Sequence, residues 1–152
     1  MTFKEEQGDL FDLPIEYDLA HCISLDCAMG AGIAVEFDKK YPDLKSTLLD
    51  VIKRNNLSYP ITISSPVRFL SQDDEGIIHN LITKEKYWHK PTYDTIRECI
   101  RQLAYQCKEY NAKYLAMPRI GSGLDRLQWN KVREIIKEEF NDLDIEIIVR
   151  YL

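Results

Sequence analysis

The sequence predicts an α/β domain whose mixed or parallel sheet is covered by helices on both sides. Three observations support this prediction. Short apolar or β-branched runs of strand length recur along the chain, amphipathic segments of helical period separate most of them, and no repeat, low-complexity tract or linker interrupts the pattern. At 152 residues the chain is long enough to bury its own core, so one domain spanning 1–152 is expected.

The elements can be assigned in order along the chain. The apolar run at 17–24 predicts the first buried strand, and two helical segments separated by Pro42 follow it. Two β-branched runs, with 71–76 between them, predict a hairpin or adjacent strands. A long helix follows, with Thr92 as its N-cap, and then a strand, a helix and a closing strand. The segments after the first strand are 34–42, 43–56, 61–70, 76–83, 92–111, 113–118, 128–140 and 144–152.

Composition restricts the classes of function. Hydrophobic residues make up 45% and charged residues 30% of the chain, which is typical of a globular protein in water. The formal charge of −5 argues against a general nucleic-acid binder, which needs a basic face. An anionic small molecule stays compatible, because backbone amides can hold phosphate. With no signal-peptide pattern and no long apolar span, we expect an intracellular, cytoplasmic protein without membrane association.

The four cysteines are expected to be reduced and structural. None of them forms a C-x-x-C pair, and the three histidines do not complete a zinc pattern. Cys99 and Cys107 also lie inside the long predicted helix. These residues therefore predict no zinc site, and no cofactor is expected.

Three loops with chemically active residues follow predicted strands at their carboxyl ends. They are 25–33 (LDCAMGAGI), 84–93 (KEKYWHKPTY) and 119–127 (RIGSGLDRL). In α/β folds, ligands bind in the crevice beyond these strand ends. The three loops therefore predict one shared site.

Two of the loops carry a pair of glycines next to a predicted helix, Gly30 with Gly32 and Gly121 with Gly123. Glycine permits positive φ and lets backbone N–H groups approach a ligand. Neither loop completes a dinucleotide fingerprint or a P-loop, so a nicotinamide-dependent oxidoreductase is the weakest hypothesis. Each loop alone can be a simple turn into a helix. Two such loops that converge on one crevice favour a binding site for a diphosphate.

Lys84 and Asp125 are the candidate reactive side chains, and each also has a plain structural interpretation. On spacing alone, Lys84 is a solvated lysine; a nucleophilic role requires a neutral amine and a pKa far below the ~10.4 of free lysine. Asp125 can cap the last predicted helix or act as a general acid or base at a sugar hydroxyl. Arg119 and Arg126 can hold phosphate or pair with carboxylates. Asp9 can form a turn or accept from a base amino group.

These residues fall in motifs that span most of the chain: GDLF (8–11), AHCIS with DCAMGAGIAVEF (20–37), LITK with HKPTY (81–93), MPRIGSGLDRLQW (117–129) and the final YL. In this order the motifs resemble those of the macrodomain family, in the branch of the terminal ADP-ribose protein glycohydrolase and O-acetyl-ADP-ribose deacetylase. The resemblance implies a three-layer α/β/α macrodomain with a central mixed sheet that binds ADP-ribose.

The resemblance also implies residue roles. Lys84 would attack the anomeric carbon of the distal ribose and release the carboxylate of a modified glutamate or aspartate. Asp125 would handle the proton and help to resolve the lysyl intermediate, without a metal. The implied ADP-ribose-binding residues are Asp9 and Leu10 at the adenine end, Ser24, Gly30 and Gly32 at the distal ribose and diphosphate, Arg119, Ile120, Gly121, Ser122, Gly123 and Leu124 around both, and Leu152 on the adenine side.

The sequence leaves three functions open. The expected one, because Lys84 and Asp125 occur together, is a monomeric hydrolase that acts on ADP-ribosylated proteins and on O-acetyl-ADP-ribose. The second is a reader that binds ADP-ribose without turnover and needs neither residue. The third is a hydrolase of thymidine-linked ADP-ribose in DNA, of the antitoxin type, against which the acidic charge argues.

Overall fold

The computed structural model describes residues 1–68 and 75–152, which form one six-stranded mixed sheet with helices on both faces. Along the sheet the strands lie in the order β1-β6-β5-β2-β4-β3. The elements are β1 (Thr2–Gln7), a 3-10 turn (Leu10–Asp12), β2 (Asp18–Ser24), α1 (Ile33–Lys40), α2 (Leu44–Arg54), β3 (Ile61–Arg68), β4 (Glu75–Lys84), α3 (Tyr93–Glu109), β5 (Tyr114–Met117), α4 (Trp129–Glu139) and β6 (Glu146–Tyr151).

The sheet is parallel except at one edge. β1, β6, β5, β2 and β4 run in the same direction, and β3 pairs antiparallel with β4. The carboxyl ends of β2, β4 and β5 therefore meet at one edge of the sheet, with β2 between the other two. This arrangement brings the three chemically active loops together.

Two apolar cores lie on opposite faces of the sheet. On one face, α3 and α4 bury residues such as Ile100 and Ile136 against β5 and β6. On the other face, α1 and α2 bury Phe37 and Leu48 against β2 and β4. The expected three-layer α/β/α architecture with a mixed sheet is thereby confirmed.

The predicted N-cap of the long helix is confirmed. The Thr92 hydroxyl accepts from the backbone N–H of Thr95 at 3.1 Å, and the Thr95 hydroxyl accepts from the backbone N–H of Thr92 at 3.0 Å. This reciprocal capping box satisfies two donors that a helix start otherwise leaves unpaired. It fixes the point at which the 84–93 loop becomes helix.

The sequence analysis missed the first strand. β1 is an edge strand, parallel to β6, and its residues are half-buried or exposed. Polar side chains hold it in place: Glu5 accepts from the Trp129 indole and from Arg133, and Glu6 accepts from Arg150. Its charged sequence carries no apolar run, which explains the omission.

The predicted pairing of the two β-branched runs is confirmed, since β3 and β4 are antiparallel neighbours. Most of the predicted turn at 71–76 lies outside the described residues. Among the helices that the structure describes, none is both long enough and apolar enough to cross a membrane.

Candidate active site

A cavity of about 650 Å³ opens at the carboxyl edge of the sheet, where the three loops converge. Its walls come from the end of β2 and the loop into α1, from the end of β4 and the loop after it, and from the loop after β5. The three loops that were expected to share one site therefore line one cavity. The predicted site residues that line it are Ser24, Gly30, Gly32, Lys84, Arg119, Ile120, Gly121, Gly123, Leu124 and Asp125.

Lys84 and Asp125 meet in this cavity. Lys84 is the last residue of β4, and its Nζ donates to Asp125 Oδ1 at 2.6 Å. The two side chains are only 13% and 14% exposed, so the ion pair is largely shielded from water. Electrostatic interactions in such a place are stronger than at an open surface. An amine and a carboxylate are thus paired inside the cavity.

The loop from β2 to α1 has left-handed backbone at several positions. The φ angles of Cys27, Met29 and Gly32 are 53°, 47° and 61°. A left-handed residue among ordinary ones turns neighbouring N–H groups to one side, which is how anion-binding nests form. No side chain caps the start of α1, and Ile33 and Ala34 line the cavity. This wall can therefore offer backbone donors to an anion.

Gly121 and Gly123, in the loop after β5, are not glycines for the same structural reason. Gly121 has a φ of 75°, and a Cβ there would lie 2.6 Å from Ile96 Cδ1, so the fold itself requires glycine. Among the residues that the structure describes, a Cβ on Gly123 would meet no heavy atom within 4 Å. Gly123 therefore leaves open space beside the cavity without any demand from packing.

Asp26 is a site residue that sequence reasoning missed. Its Oδ1 accepts from the Ser24 hydroxyl and, at 3.4 Å, from the backbone N–H of Ala28, while its Oδ2 accepts from the backbone N–H of Tyr87 at 3.2 Å. Burial raises the pKa of this carboxyl, but the hydrogen bonds outweigh burial and leave the pKa below its ordinary value. Asp26 therefore joins two walls of the cavity. An aspartate two residues after a strand, followed by a glycine loop, was the available signal.

Lys90 connects two of the loops that form the cavity. Its Nζ donates to the backbone carbonyl of Leu124 at 2.6 Å, which ties the loop after β4 to the loop after β5. Lys90 and Tyr87 both line the cavity. The sequence had given no reason to assign Lys90 a role of its own.

Four predicted site residues do not line the cavity. Asp9 is exposed, and its Oδ1 accepts from the backbone N–H of Phe11 at 3.0 Å. This hydrogen bond is the one expected if Asp9 forms a turn. Leu10 is only 3% exposed and belongs to the core. The Ser122 hydroxyl donates to the carbonyl of Arg119 at 2.8 Å, and Leu152 is 97% exposed at the chain end.

Asp9 and Leu152 nevertheless lie at the same corner of the sheet. The N–H of Gly8 donates to the carbonyl of Tyr151 at 2.8 Å, so the residues next to them are bonded together. Arg119 lines the cavity and stacks its guanidinium 4.0 Å from the centre of the Tyr151 ring. A ligand longer than the cavity could extend past Arg119 towards this corner.

Other nucleophiles near the cavity are disfavoured. Burial raises the pKa of the Cys22 thiol well above its usual range, and the neighbouring Cys99 and Asp125 add to the effect. The Ser24 hydroxyl is engaged as a donor to Asp26. Within residues 1–68 and 75–152, no group of three or more histidine, cysteine, aspartate or glutamate side chains is arranged to hold a metal ion.

Comparison with known proteins identifies the family to which the chain belongs. The Macro domain family profile matches residues 21–136, and the chain belongs to that family. The predicted family membership is thereby confirmed.

Individual relatives are also similar over nearly the whole chain. The ADP-ribose glycohydrolases OARD1 of Bos taurus and Homo sapiens are 44% and 43% identical over 143 residues, which are 94% of this chain and 87% of each relative. The solved macrodomain of Thermus aquaticus DarG superposes with a TM-score of 0.86 at 23% identity and covers 99% of both chains. At that identity the superposition establishes the fold alone.

Proposed function

We propose that this protein is an ADP-ribosyl hydrolase that cleaves the ester between ADP-ribose and a carboxylate, either a glutamate or aspartate of a modified protein or the acetate of O-acetyl-ADP-ribose. The observation that carries the proposal is the shielded Lys84–Asp125 pair in the cavity, with 2.6 Å between Nζ and Oδ1. The name ADP-ribose glycohydrolase, borne by relatives 43–44% identical, supports it.

Binding of the diphosphate would rest on backbone donors more than on side-chain charge. The loop before α1 and the loop around Gly123 face each other across the cavity. Left-handed residues in the first loop favour anion binding by successive amides, and an uncapped helix start adds to this. Such a cradle explains how a chain with a formal charge of −5 could hold a dianionic ligand.

The first chemical step requires a neutral amine. Asp125 Oδ1 is placed to take a proton from Lys84 Nζ, and the amine nitrogen then attacks the anomeric carbon of the distal ribose. As the C–N bond forms, the bond from this carbon to the acceptor oxygen breaks. The carboxylate leaves with the electron pair. Because a carboxylate is a stable anion, a modest nucleophile suffices.

The second step restores the enzyme. Asp125, now protonated, can return its proton to the lysine nitrogen as the C–N bond breaks, while a water molecule forms the new C–O bond at the anomeric carbon. The water keeps one proton as the new hydroxyl group and releases the other to solvent, which balances the carboxylate that left as an anion. ADP-ribose is released, and the Lys84–Asp125 pair forms again. One residue that serves as base and then as acid is sufficient for both steps.

The test is release of free ADP-ribose from a protein ADP-ribosylated on glutamate. We expect release by the wild-type protein without added metal. Tight binding of ADP-ribose without release from protein, acetyl ester or DNA would instead make the protein a reader. Release only from thymidine-linked ADP-ribose in DNA would make it a DNA hydrolase.

A further inference from the structure

Two adjacent aromatic side chains stand exposed beside the cavity. Tyr87 and Trp88 are each 61% exposed, in the segment 85–90 that we call the rim segment. Their rings pack edge to face, 5.0 Å between centroids, and Trp88 packs in the same way against His89 at 5.4 Å. Aromatic surface left in water at the mouth of a cavity is typical of a contact site.

The rim segment is anchored at several points. The backbone N–H of Tyr87 donates to Asp26, Lys90 donates to the carbonyl of Leu124, and the N–H of His89 donates to the carbonyl of Lys86 at 3.0 Å. The aromatic rings therefore stand on a fixed support. A surface held in place before binding loses less conformational entropy when a partner docks.

The rim segment also borders Lys84 directly. Tyr87 and Lys90 line the main cavity together with Lys84. Glu85, His89 and Lys90 line a second cavity of about 320 Å³, which Lys84 also touches. Whatever is esterified to the sugar carbon that Lys84 attacks would therefore emerge close to the rim segment.

The formal charge of the rim segment is opposite in sign to that of the whole chain. Residues 85–90 hold two lysines, Lys86 and Lys90, against one glutamate, whereas the chain carries a formal charge of −5. A local positive surface on an acidic protein attracts anionic partners and orients them during encounter. The partner that matches is acidic and carries side chains able to pack on aromatic rings.

We propose that the rim segment docks the acidic protein segment that flanks the modified carboxylate. Tyr87 and Trp88 contact its backbone and apolar side chains, while Lys86 and Lys90 face its neighbouring carboxylates. This assignment rests on the proposed hydrolase function, since it names the acceptor of that reaction. A protein acceptor is favoured over a nucleic acid because two lysines against one glutamate in the rim segment fall short of the basic face that a phosphate backbone requires.

The experiment compares Trp88→Ala and Lys86→Ala with wild type on three substrates. These are a peptide with ADP-ribosyl-glutamate between acidic residues, the same peptide with neutral flanks, and O-acetyl-ADP-ribose. We expect kcat/KM on the acidic peptide to fall about tenfold, mainly through KM, as for an aromatic anchor at an interface. Turnover of O-acetyl-ADP-ribose should stay within about twofold. Tyr105→Ala and Lys108→Ala, at exposed positions of α3 away from both cavities, are the matched controls.

Affinity provides a second measurement that does not depend on turnover. In the Lys84→Ala background, Trp88→Ala should weaken binding of the acidic ADP-ribosylated peptide about tenfold and leave free ADP-ribose unchanged. Equal losses for all ligands, or no loss for any, would overturn the docking assignment. So would a loss confined to ADP-ribosylated single-stranded DNA. Absence of hydrolysis by wild type would overturn the proposed function alone, since the affinity comparison would still decide the docking assignment.

Discussion

Lys84 and Asp125 come from opposite sides of β2, and their side chains meet across its carboxyl end at 2.6 Å. β4 carries Lys84 on one side, and the loop after β5 carries Asp125 on the other. The contact therefore depends on the order β5-β2-β4 in the sheet. A carboxylate 41 residues away in the sequence is thus brought to the amine nitrogen of Lys84, the atom that we propose as the nucleophile.

Removing Asp125 should separate the two chemical steps. In Asp125→Ala the lysine lacks its proton acceptor, so turnover should fall by at least about a hundredfold, in the range that a general base supplies. Any lysyl–ribose intermediate that does form should persist, because no acid remains to release it. Intact mass spectrometry after mixing with substrate should detect the adduct on the chain, and Asp125→Asn should behave alike. Full turnover by either variant would exclude the proton-transfer role.

Gly123→Glu should abolish ADP-ribose binding and leave the fold intact. The added side chain meets open space in the protein, so nothing in the packing opposes it, but it places bulk and a negative charge beside the proposed phosphate cradle. Calorimetric titration with ADP-ribose measures the loss, and Gly123→Ala should bind within several-fold of wild type. Normal affinity in a folded Gly123→Glu protein would contradict the cradle.

Gly121→Ala is expected to behave in the opposite way. The left-handed φ of 75° and the 2.6 Å approach to Ile96 make any side chain there costly to the fold, by roughly 1–3 kcal/mol. Thermal unfolding should therefore show a lowered Tm for Gly121→Ala and an unchanged Tm for Gly123→Ala. Equal Tm values would show that the two glycines are not distinguished by packing.

Asp26→Asn should weaken ADP-ribose binding about tenfold, because a neutral amide holds the Ser24 hydroxyl and the two backbone donors less strongly than a carboxylate does. One of the two carboxylate oxygens would become an NH2 donor, so the loops on both sides of the cavity could no longer be held by the same side chain. Affinity measured by titration checks this, with Asp12→Asn, at an exposed position that does not line the cavity, as the control. An unchanged affinity would limit Asp26 to local loop geometry.

His21 should make the protein less stable as the pH falls. Burial lowers its pKa to about 4, against the opposing effect of its bond to Asn80, while in the unfolded chain the value is about 6.5. The neutral ring is therefore favoured in the fold, and its contribution is fully present above pH 6.5 and lost as the pH falls towards 4. The unfolding free energy should fall by at most about 1.4 kcal/mol for each pH unit because of this residue. Denaturant titrations between pH 6.5 and 5 should give a shallower decline for His21→Gln, and equal slopes would exclude this cause.

The position of the candidate site in the fold could be predicted from the sequence, but most of its side-chain contacts could not. Strand order in α/β folds explains why three loops at strand ends converge, and the glycine loops and Lys84 could be assigned to that edge. The contact between Lys84 and Asp125 could not be predicted from spacing, because it depends on which strands are neighbours. Asp26 was missed because its three donors come from residues that only the fold assembles.

The edges of the molecule were the hardest to predict. β1 carries no apolar run, and side chains such as Glu5 hold it through contacts with α4. At the other end of the proposed ligand, Asp9 and Leu152 lie outside the cavity, so their adenine-side roles stay predictions that rest on the family resemblance. Arg119 lines the cavity and stacks on Tyr151 beside the corner that holds Asp9 and Leu152. A ligand that reached from the cavity to that corner would pass Arg119.

The most direct test of the account is release of free ADP-ribose from a glutamate-ADP-ribosylated protein by wild type, Lys84→Ala, Lys84→Arg and Lys108→Ala, the last being an exposed lysine that lines neither cavity. We expect release by wild type and by Lys108→Ala. Neither Lys84 variant should release ADP-ribose, although both should bind it within several-fold of wild type, because arginine keeps the charge but is not a nucleophile. Release by Lys84→Ala at the wild-type rate would remove Lys84 as the nucleophile and contradict the mechanism.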